Sequence, residues 1–521
     1  MTIDSYDDIP YDSAPIYETH PSNLAVPGAL FGLDPAPAEA CRYLELGCAS
    51  GGNLIPLAFY LPESEFLGIE RSTEQVRTGR ALIEALGLRN VRIEQADVSG
   101  VEPEAMGVFD YIVAHGFYSW VPGAVRRRMF EIMAAALTPQ GIAYVSYNAL
   151  PGWRRRSMLR DLLRYAVRGR ERPRDRLDAA WVTLERYEAA LAGQTDAVAA
   201  QLRDEAARLR TRHPSYLYHE YLVEENTPFL FSEFMTDAGS HGLQYLCEAE
   251  LHTMFSDNLG APATAWIDGL EDVIAQEQIM DFLRQRTFRQ TLLCRHDLRV
   301  ERELDLDRFA RLAYHGSLAP VEPPDLKNAG AQAFCDQDGG TCVATSPLAK
   351  AALVELGERH PDAVAFPELA ARARDRVRAA GGADTDENAL LLELVRLYLR
   401  QYIGAALTAE RFPRAAGSRP RATRLARAQA LAGLGHVATR RHKPMGVDAF
   451  VTALLGHLDG CHDRNALVSL LHRDIAAGRL RLDTPRPGRP VEQSVIAANV
   501  EHALGMLAHH GILEPEAEPH A

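Results

Sequence analysis

Three carboxylates and one glycine-rich turn are the residues of this chain best suited to chemistry. The segment YLELGCASGGNLIP at 43–56 ends an apolar run on Glu45, passes Gly47 and Gly51, and enters a helix-like stretch after Asn53. Missing Cβ atoms let a ligand approach the free backbone N–H groups at a helix start. FLGIE puts Glu70 at the end of a second apolar run, followed by Arg71; IEQADV ends a third on Asp97 and Val98. A dinucleotide site wants G-x-G-x-x-G, and here Gly47 is followed by Cys48 with no second glycine in place. A carboxylate two positions before Gly47 would repel a diphosphate and suits a ligand carrying an ammonium or sulfonium group. No Gly-Lys-Ser/Thr closes the segment, so a phosphate loop is excluded as well. Glu70 stands where acids hold ribose hydroxyls in doubly wound nucleotide sites, and Asp97 is placed to accept from an exocyclic amine.

Positioning three acids at strand tips requires a parallel sheet. From 41 to about 150, short apolar strands alternate with helical segments: NLIPLAFYL, EQVRTGRALIEALG and AVRRRMFEIMAAALT lie between CRYLELG, EFLGIE, VRIEQAD, FDYIVAHG and GIAYVSYN. Such alternation predicts an α/β domain with right-handed crossovers, whose ligands bind at the carboxyl ends of the strands. The predicted organisation is an N-terminal arm (1–40), the ligand-binding domain (41–153), and a helical segment (154–212) that could serve dimerisation. A middle domain (213–317), a linker (318–347) and a mostly helical, winged-helix-like C-terminal domain (348–521) follow. The second helical run is read over EDVIAQEQIMDFLRQRTFRQTLLCR, and the arginine-heavy stretch within 411–443 as exposed.

The constellation resembles the class I S-adenosylmethionine-dependent methyltransferases, through E-x-G-x-x-x-G at Glu45, Gly47 and Gly51, the acid Glu70, and the pair Ala96-Asp97. The resemblance implies a Rossmann-like domain with S-adenosyl-L-methionine as cofactor. Gly47 and Gly51 would lie along its methionine part, with Asn53, Arg71 and Val98 in the same site. FDYIVAHG would end at His115 beside the transferable methyl. Base-modifying relatives commonly carry an Asn/Asp-Pro-Pro-aromatic stretch after the fourth strand; here the sequence is HGFYSWVP. Tyr118 and Trp120, with His115, are therefore read as an aromatic-walled methyl-transfer channel for a cationic or amine acceptor. A lysine amine, with a reference pKa of about 10.4, must lose its proton before attack.

IYETHPSNLAVPGALFGLDP, LELGCASGGNLIPLA, AHGFYSWVP, YNALPGW and DFLRQRTFRQTLLCR occur together in order. This pattern is similar to methyltransferases that carry a methyltransferase regulatory domain, and within them to the rickettsial-type lysine methyltransferases of outer-membrane proteins. That resemblance implies a protein substrate modified on lysine in the cytoplasm, a homodimer, and an arm whose Tyr17, Thr19 and His20 fold over the cofactor as a lid. Other readings stay open: a small-molecule N- or O-methyltransferase, or a non-catalytic ligand-sensing protein with a partner-binding C-terminal module.

Composition narrows these choices. With 521 residues, 47% hydrophobic and 24% charged, the chain is long enough for several buried cores. A net charge of −14 argues against a general nucleic-acid partner. No apolar run reaches the roughly 20 residues that span a bilayer, and the acidic start MTIDSYDDIP is unlike a signal peptide. Seven irregularly spaced cysteines read as reduced thiols, with Cys335 and Cys342 flanking a hairpin-like turn. No His/Cys/acid spacing indicates a metal. YLYHEYL at 216–222 is dense in aromatic and ionisable groups, which either helix-edge packing or substrate contact explains.

Overall fold

The computed structural model describes residue 9 and residues 13–336, 339–383, 386–412, 416–482 and 491–515. Five parallel strands, β1 (Arg42–Leu46), β2 (Glu65–Glu70), β3 (Val91–Gln95), β4 (Phe109–Ala114) and β5 (Leu137–Asn148), alternate with helices. The helices are α1 (Pro21–Leu30), ahead of β1, then α2 (Leu54–Tyr60), α3 (Thr73–Leu86) and α4 (Gly123–Ala136). Local chemistry sets their limits. The Ser72 side chain accepts from the Gln75 N–H to start α3, and Gly87, at φ +64°, ends it in the left-handed region. The central strands are buried on both faces, as helix-covered parallel strands must be.

The sheet continues past residue 153. Strands β6 (Leu243–Glu248) and β7 (Phe288–Arg295) complete seven strands in the order β3-β2-β1-β4-β5-β7-β6, with β7 antiparallel to both its neighbours. The expected helical run over 271–295 therefore breaks in two. Its helix, Val273–Arg284, stops at Gln285, which adopts φ +51°, and FRQTLLCR becomes a strand whose Leu292 and Leu293 are fully buried. Between β5 and β6 the chain inserts three helices, α5 (Trp153–Ala166), α6 (Pro173–Leu191) and α7 (Ala197–Arg210), around a core that includes Trp153, Leu163, Leu184 and Tyr221. The insertion returns through Pro214–Leu217 and a single π-helical turn, Tyr218–Leu222.

The segment expected as a linker is structured: Ala319–Pro320, Gln332–Cys335 and Thr341–Ala344 form a small antiparallel sheet around fully buried Phe334. Its hairpin pairs Cys335 with Thr341 and Phe334 with Cys342. The two cysteines thus point to opposite faces, and both are free thiols. The arginine-rich stretch is also built in, save 413–415, which lie outside the described residues. It forms the helix Arg424–Leu431 and a hairpin of His436–Ala438 with Pro444–Gly446. Leu425 and Ala438 from it pack on Ile55 of α2 and Leu86 of α3, so the C-terminal domain sits directly on the helices that flank β2. Among the described residues no helix is long and apolar enough to cross a membrane.

Candidate active site

The carboxyl ends of β1 to β5 open onto a cavity of about 490 Å³. One half is lined by Gly47, Glu70, Arg71, Asp97 and Val98, the other by His115, Phe117, Trp120 and residues of the insertion. Gly47 and Gly51 take φ of +74° and +78°, a region that side chains disfavour. A Cβ on Gly47 would meet the Phe117 ring at 2.7 Å, so the turn needs a glycine there twice over.

Each acid of the floor has its own setting. Glu70 accepts the Ala49 N–H on one oxygen (3.0 Å) and the Ser72 N–H on the other (2.8 Å). This clamps the carboxylate and leaves each oxygen acceptor capacity toward the cavity; burial raises its pKa. The exposed Asp97 accepts from both the backbone N–H (2.9 Å) and the hydroxyl (2.6 Å) of Ser99, and the hydroxyl bond holds its pKa down. Glu45 is buried beneath the turn rather than in the wall. One of its oxygens accepts from Asn53 Nδ2 at 3.2 Å, while Oε2 is buried with no partner, and burial pushes the carboxyl up to about 8. An unsatisfied buried carboxylate oxygen is costly, and a cationic ligand group is what would satisfy it. The residues present thus fit S-adenosylmethionine: an orphaned acid for the ammonium, a clamped acid for the ribose, an ionised one for the base.

The second half of the cavity is aromatic. His115 Nδ1 lies 2.9 Å from the Tyr144 hydroxyl, its ring stacks on Tyr144 and meets the edge of Phe288, and burial lowers its pKa to about 4, so the ring is neutral. The short helix Pro214–Leu217 brings Tyr216 to the wall and the π-helical turn brings His219 and Glu220, with Asn148 from β5. Glu220 is only 7% exposed. Burial raises it to about 7, with Asn148, Arg156 and Arg160 restraining the rise. The N-terminal arm touches the surroundings of the cavity: the Ile9 carbonyl lies 2.6 Å from His219 Nε2, and the Gly52 N–H donates to Ser13 Oγ at 2.8 Å.

The structure therefore brings Gly47, Glu70, Arg71, Asp97, Val98, His115 and Trp120 to one wall and places other expected residues elsewhere. Tyr118 turns into the core: its hydroxyl donates to Asp237 at 2.8 Å and its ring sits among Phe130, Tyr147, Phe229 and Phe234. Two positions apart on a short 3-10 turn, Tyr118 and Trp120 point about 120° from one another, and of the pair only Trp120 lines the cavity. Gly51 packs against Ile55 and Ile93 below the turn. Tyr17 lines a separate cavity of about 570 Å³. His20 starts α1, its Nδ1 accepting the Ser22 N–H at 3.1 Å. The described arm contacts to the cavity wall and the glycine turn are thus made by Ile9 and Ser13, not by Tyr17 or His20. Asn53 faces the arm and the C-terminal domain, not the cavity. Sequence reasoning left Glu220, Tyr216, His219, Asn148 and Phe288 unassigned. YLYHEYL gave a signal in its density, but only the fold-back of the insertion shows which way it faces.

A seven-stranded sheet in this order, with acids at the tips of β2 and β3 around a glycine turn, defines a class I S-adenosylmethionine-dependent methyltransferase. Comparison with known proteins agrees: family models match as methyltransferase domain (residues 44–143), predicted methyltransferase regulatory domain (213–295) and "PKMT, C-terminal winged helix domain" (418–512). The chain is 32% identical over 494 residues to an uncharacterized protein of Rickettsia prowazekii, covering 94% of this chain and 88% of that one. It is also similar to PKMT2 from Rickettsia typhi, solved alone (TM-score 0.85, 27% identity, 96% of this chain and 100% of that one). The same enzyme solved with AdoHcy gives a TM-score of 0.86 at 27% identity, covering 97% of this chain and 100% of that one. The chain belongs to this family of methyltransferases with a regulatory domain. Its regulatory segment is not an appendage, for residues 213–295 supply β6, β7 and the Glu220 wall.

Proposed function

We propose that this methyltransferase N-methylates lysine side chains of a protein substrate. The observation that carries the reading is Glu220, a buried carboxylate in the acceptor half of the cavity, set among Tyr216, Trp120, His115 and Phe288. Such a site suits an ammonium on a long, thin stem: aromatic faces attract the cation and the carboxylate receives its proton. It offers little to a hydroxyl acceptor, which brings no charge to match. Titrating near 7, Glu220 is poised at working pH to draw a proton from an amine whose own pKa falls on burial. His115, neutral at that pH, adds no positive charge beside the acceptor. The bound cofactor supplies a methyl group already activated on a sulfonium. Glu70 would hold its ribose hydroxyls, Asp97 its adenine amine, and Glu45 would answer its ammonium through the turn. The remaining work of the chain is to align the amine and exclude water, with the arm at Ile9 and Ser13 contributing to closure. An outer-membrane protein before export is the target class that the resemblance suggests, with action in the cytoplasm and as a homodimer.

Incubating the chain with tritiated S-adenosylmethionine and a proteome extract tests this reading. Label recovered in protein bands, on lysine, is the expected result. Label confined to small molecules would overturn the protein-substrate assignment.

A further inference from the structure

The C-terminal domain reaches the cofactor turn through one side chain. The hairpin of His436–Ala438 with Pro444–Gly446 carries Thr439-Arg440-Arg441-His442-Lys443 at its tip, and Arg440, His442 and Lys443 each reach the methyltransferase domain or the arm. Arg440 lies over the Tyr60 ring of α2 at 4.6 Å, Arg441 bonds the Pro361 carbonyl and Glu410, and Lys443 sits over Tyr17 at 4.9 Å. His442 goes deepest. It is 1% exposed, and its Nε2 is 2.7 Å from Oδ1 of Asn53, itself 2% exposed.

The bonding directions follow from valence alone. The Ile16 backbone N–H, 2.9 Å from the same Asn53 atom, can only donate, so that atom is the amide oxygen. Asn53 therefore turns its NH₂ to Glu45, and His442 must carry its proton on Nε2. Its Nδ1 is left as a buried lone pair without a partner, which fits a ring kept neutral by burial. Asn53 occupies the start of α2, where an asparagine would ordinarily cap the helix; its side chain makes no such cap bond. His442 also adopts φ +56°, a left-handed conformation uncommon outside glycine, asparagine and aspartate. A misplaced cap and a strained backbone both serve the line His442–Asn53–Glu45.

We infer that His442 of the winged-helix domain is a positioning residue for the cofactor, holding Asn53 and through it the Glu45 carboxylate in the orientation that receives the ligand's ammonium. The C-terminal domain is then part of the methyl-donor site rather than only of the substrate cleft. The inference rests on the cofactor site and is independent of the acceptor.

Calorimetry with AdoHcy on the full chain tests it. His442→Asn is the informative variant, since asparagine tolerates the left-handed backbone yet is too short to reach Asn53. It should weaken binding about tenfold, or about 1.4 kcal/mol. His442→Gln restores a donor near the position of Nε2 and should bind within about threefold of the parent. Tyr60→Phe, which removes the interface bonds of the Tyr60 hydroxyl to the Ala438 carbonyl (3.2 Å) and to Thr423, should bind like the parent. In turnover, His442→Asn should raise the KM for S-adenosylmethionine and leave that for the acceptor unchanged. Unchanged AdoHcy affinity in His442→Asn, or equal weakening by Tyr60→Phe, would overturn the inference. A parent chain that failed to bind AdoHcy would instead overturn the site itself.

Discussion

The molecule buries carboxylates in two places and treats them in opposite ways. Behind β7, Arg289 is wholly buried and spends its guanidinium on three acids. Its Nη1 donates to Glu248 at 2.6 Å, Nη2 to Glu277 and Asp281 at 2.9 Å each, and Nε to the second oxygen of Asp281 at 2.9 Å. Its charged plane also stacks on Phe231 at 3.9 Å. Every charge there has an internal answer. Beneath the glycine turn Glu45 keeps an oxygen with no partner, and at the cavity Glu220, with Asn148, Arg156 and Arg160 nearby, forms no ion pair among the described residues. Acids that hold a fold together are matched inside the chain; acids that serve a ligand are left to be matched by it. Burial raises the pKa of acids in both places, Glu277 and Asp281 included, so the difference lies in their partners and not in the shift.

The sharpest test of this contrast is Arg289→Met. It leaves Glu277 without its cation and Glu248 and Asp281 with only the longer pairs to Arg286 (3.5 and 3.4 Å), and should cost about 3–5 kcal/mol, read as a large fall in Tm; a change under about 1 kcal/mol would erase the distinction. Glu220→Gln should do the reverse. It should lower kcat by roughly 10²–10³-fold, leave the AdoHcy Kd within about twofold, and abolish the rise of activity with pH near 7. It should also stabilise the fold at high pH. Glu220 rises from an ordinary 4.5 to about 7 on folding, so between those values the native state binds more protons than the unfolded chain. Stability therefore falls as pH rises through that window and stays low above it. The glutamine variant should show a flatter Tm–pH curve and a higher Tm at pH 8. Next, Gly47→Arg with Asp97→Ala, which blocks the turn and removes the base contact, should weaken AdoHcy binding at least about 100-fold (roughly 2.7 kcal/mol) by calorimetry. The smallest effect belongs to Tyr118→Phe. Losing the bond to Asp237 should cost about 1 kcal/mol of stability and leave kcat/KM within about twofold, because the ring faces the core.

The cofactor half of the site was legible because its signals are local. Glu45, Gly47, Glu70 and Asp97 each end a strand within a few residues of the turn that exposes them, and strand tips in a parallel sheet share one edge. The acceptor half was not. Glu220 lies far along the chain from Glu45, on a turn whose direction depends on three inserted helices packing around Trp153 and Tyr221. Tyr118 failed for the opposite reason: two residues from Trp120, it looked equivalent, and a single helical turn sends it the other way.

Composition, periodicity and spacing by themselves determined that the chain folds parallel strands, that their tips carry acids, and that the ligand there suits an ammonium or sulfonium group rather than a diphosphate; the family resemblance supplied the cofactor. Those properties depend on neighbours in sequence, where the chain's own geometry leaves little choice. Tertiary structure alone decided that β6 and β7 close the sheet, that Glu220 faces the cavity at the strand tips, that Ile9 and Ser13 rather than Tyr17 and His20 touch its surroundings, and that His442 reaches Asn53 beneath the glycine turn. Each of these pairs groups far apart in the chain. Which face a distant side chain presents is set by the packing of everything between.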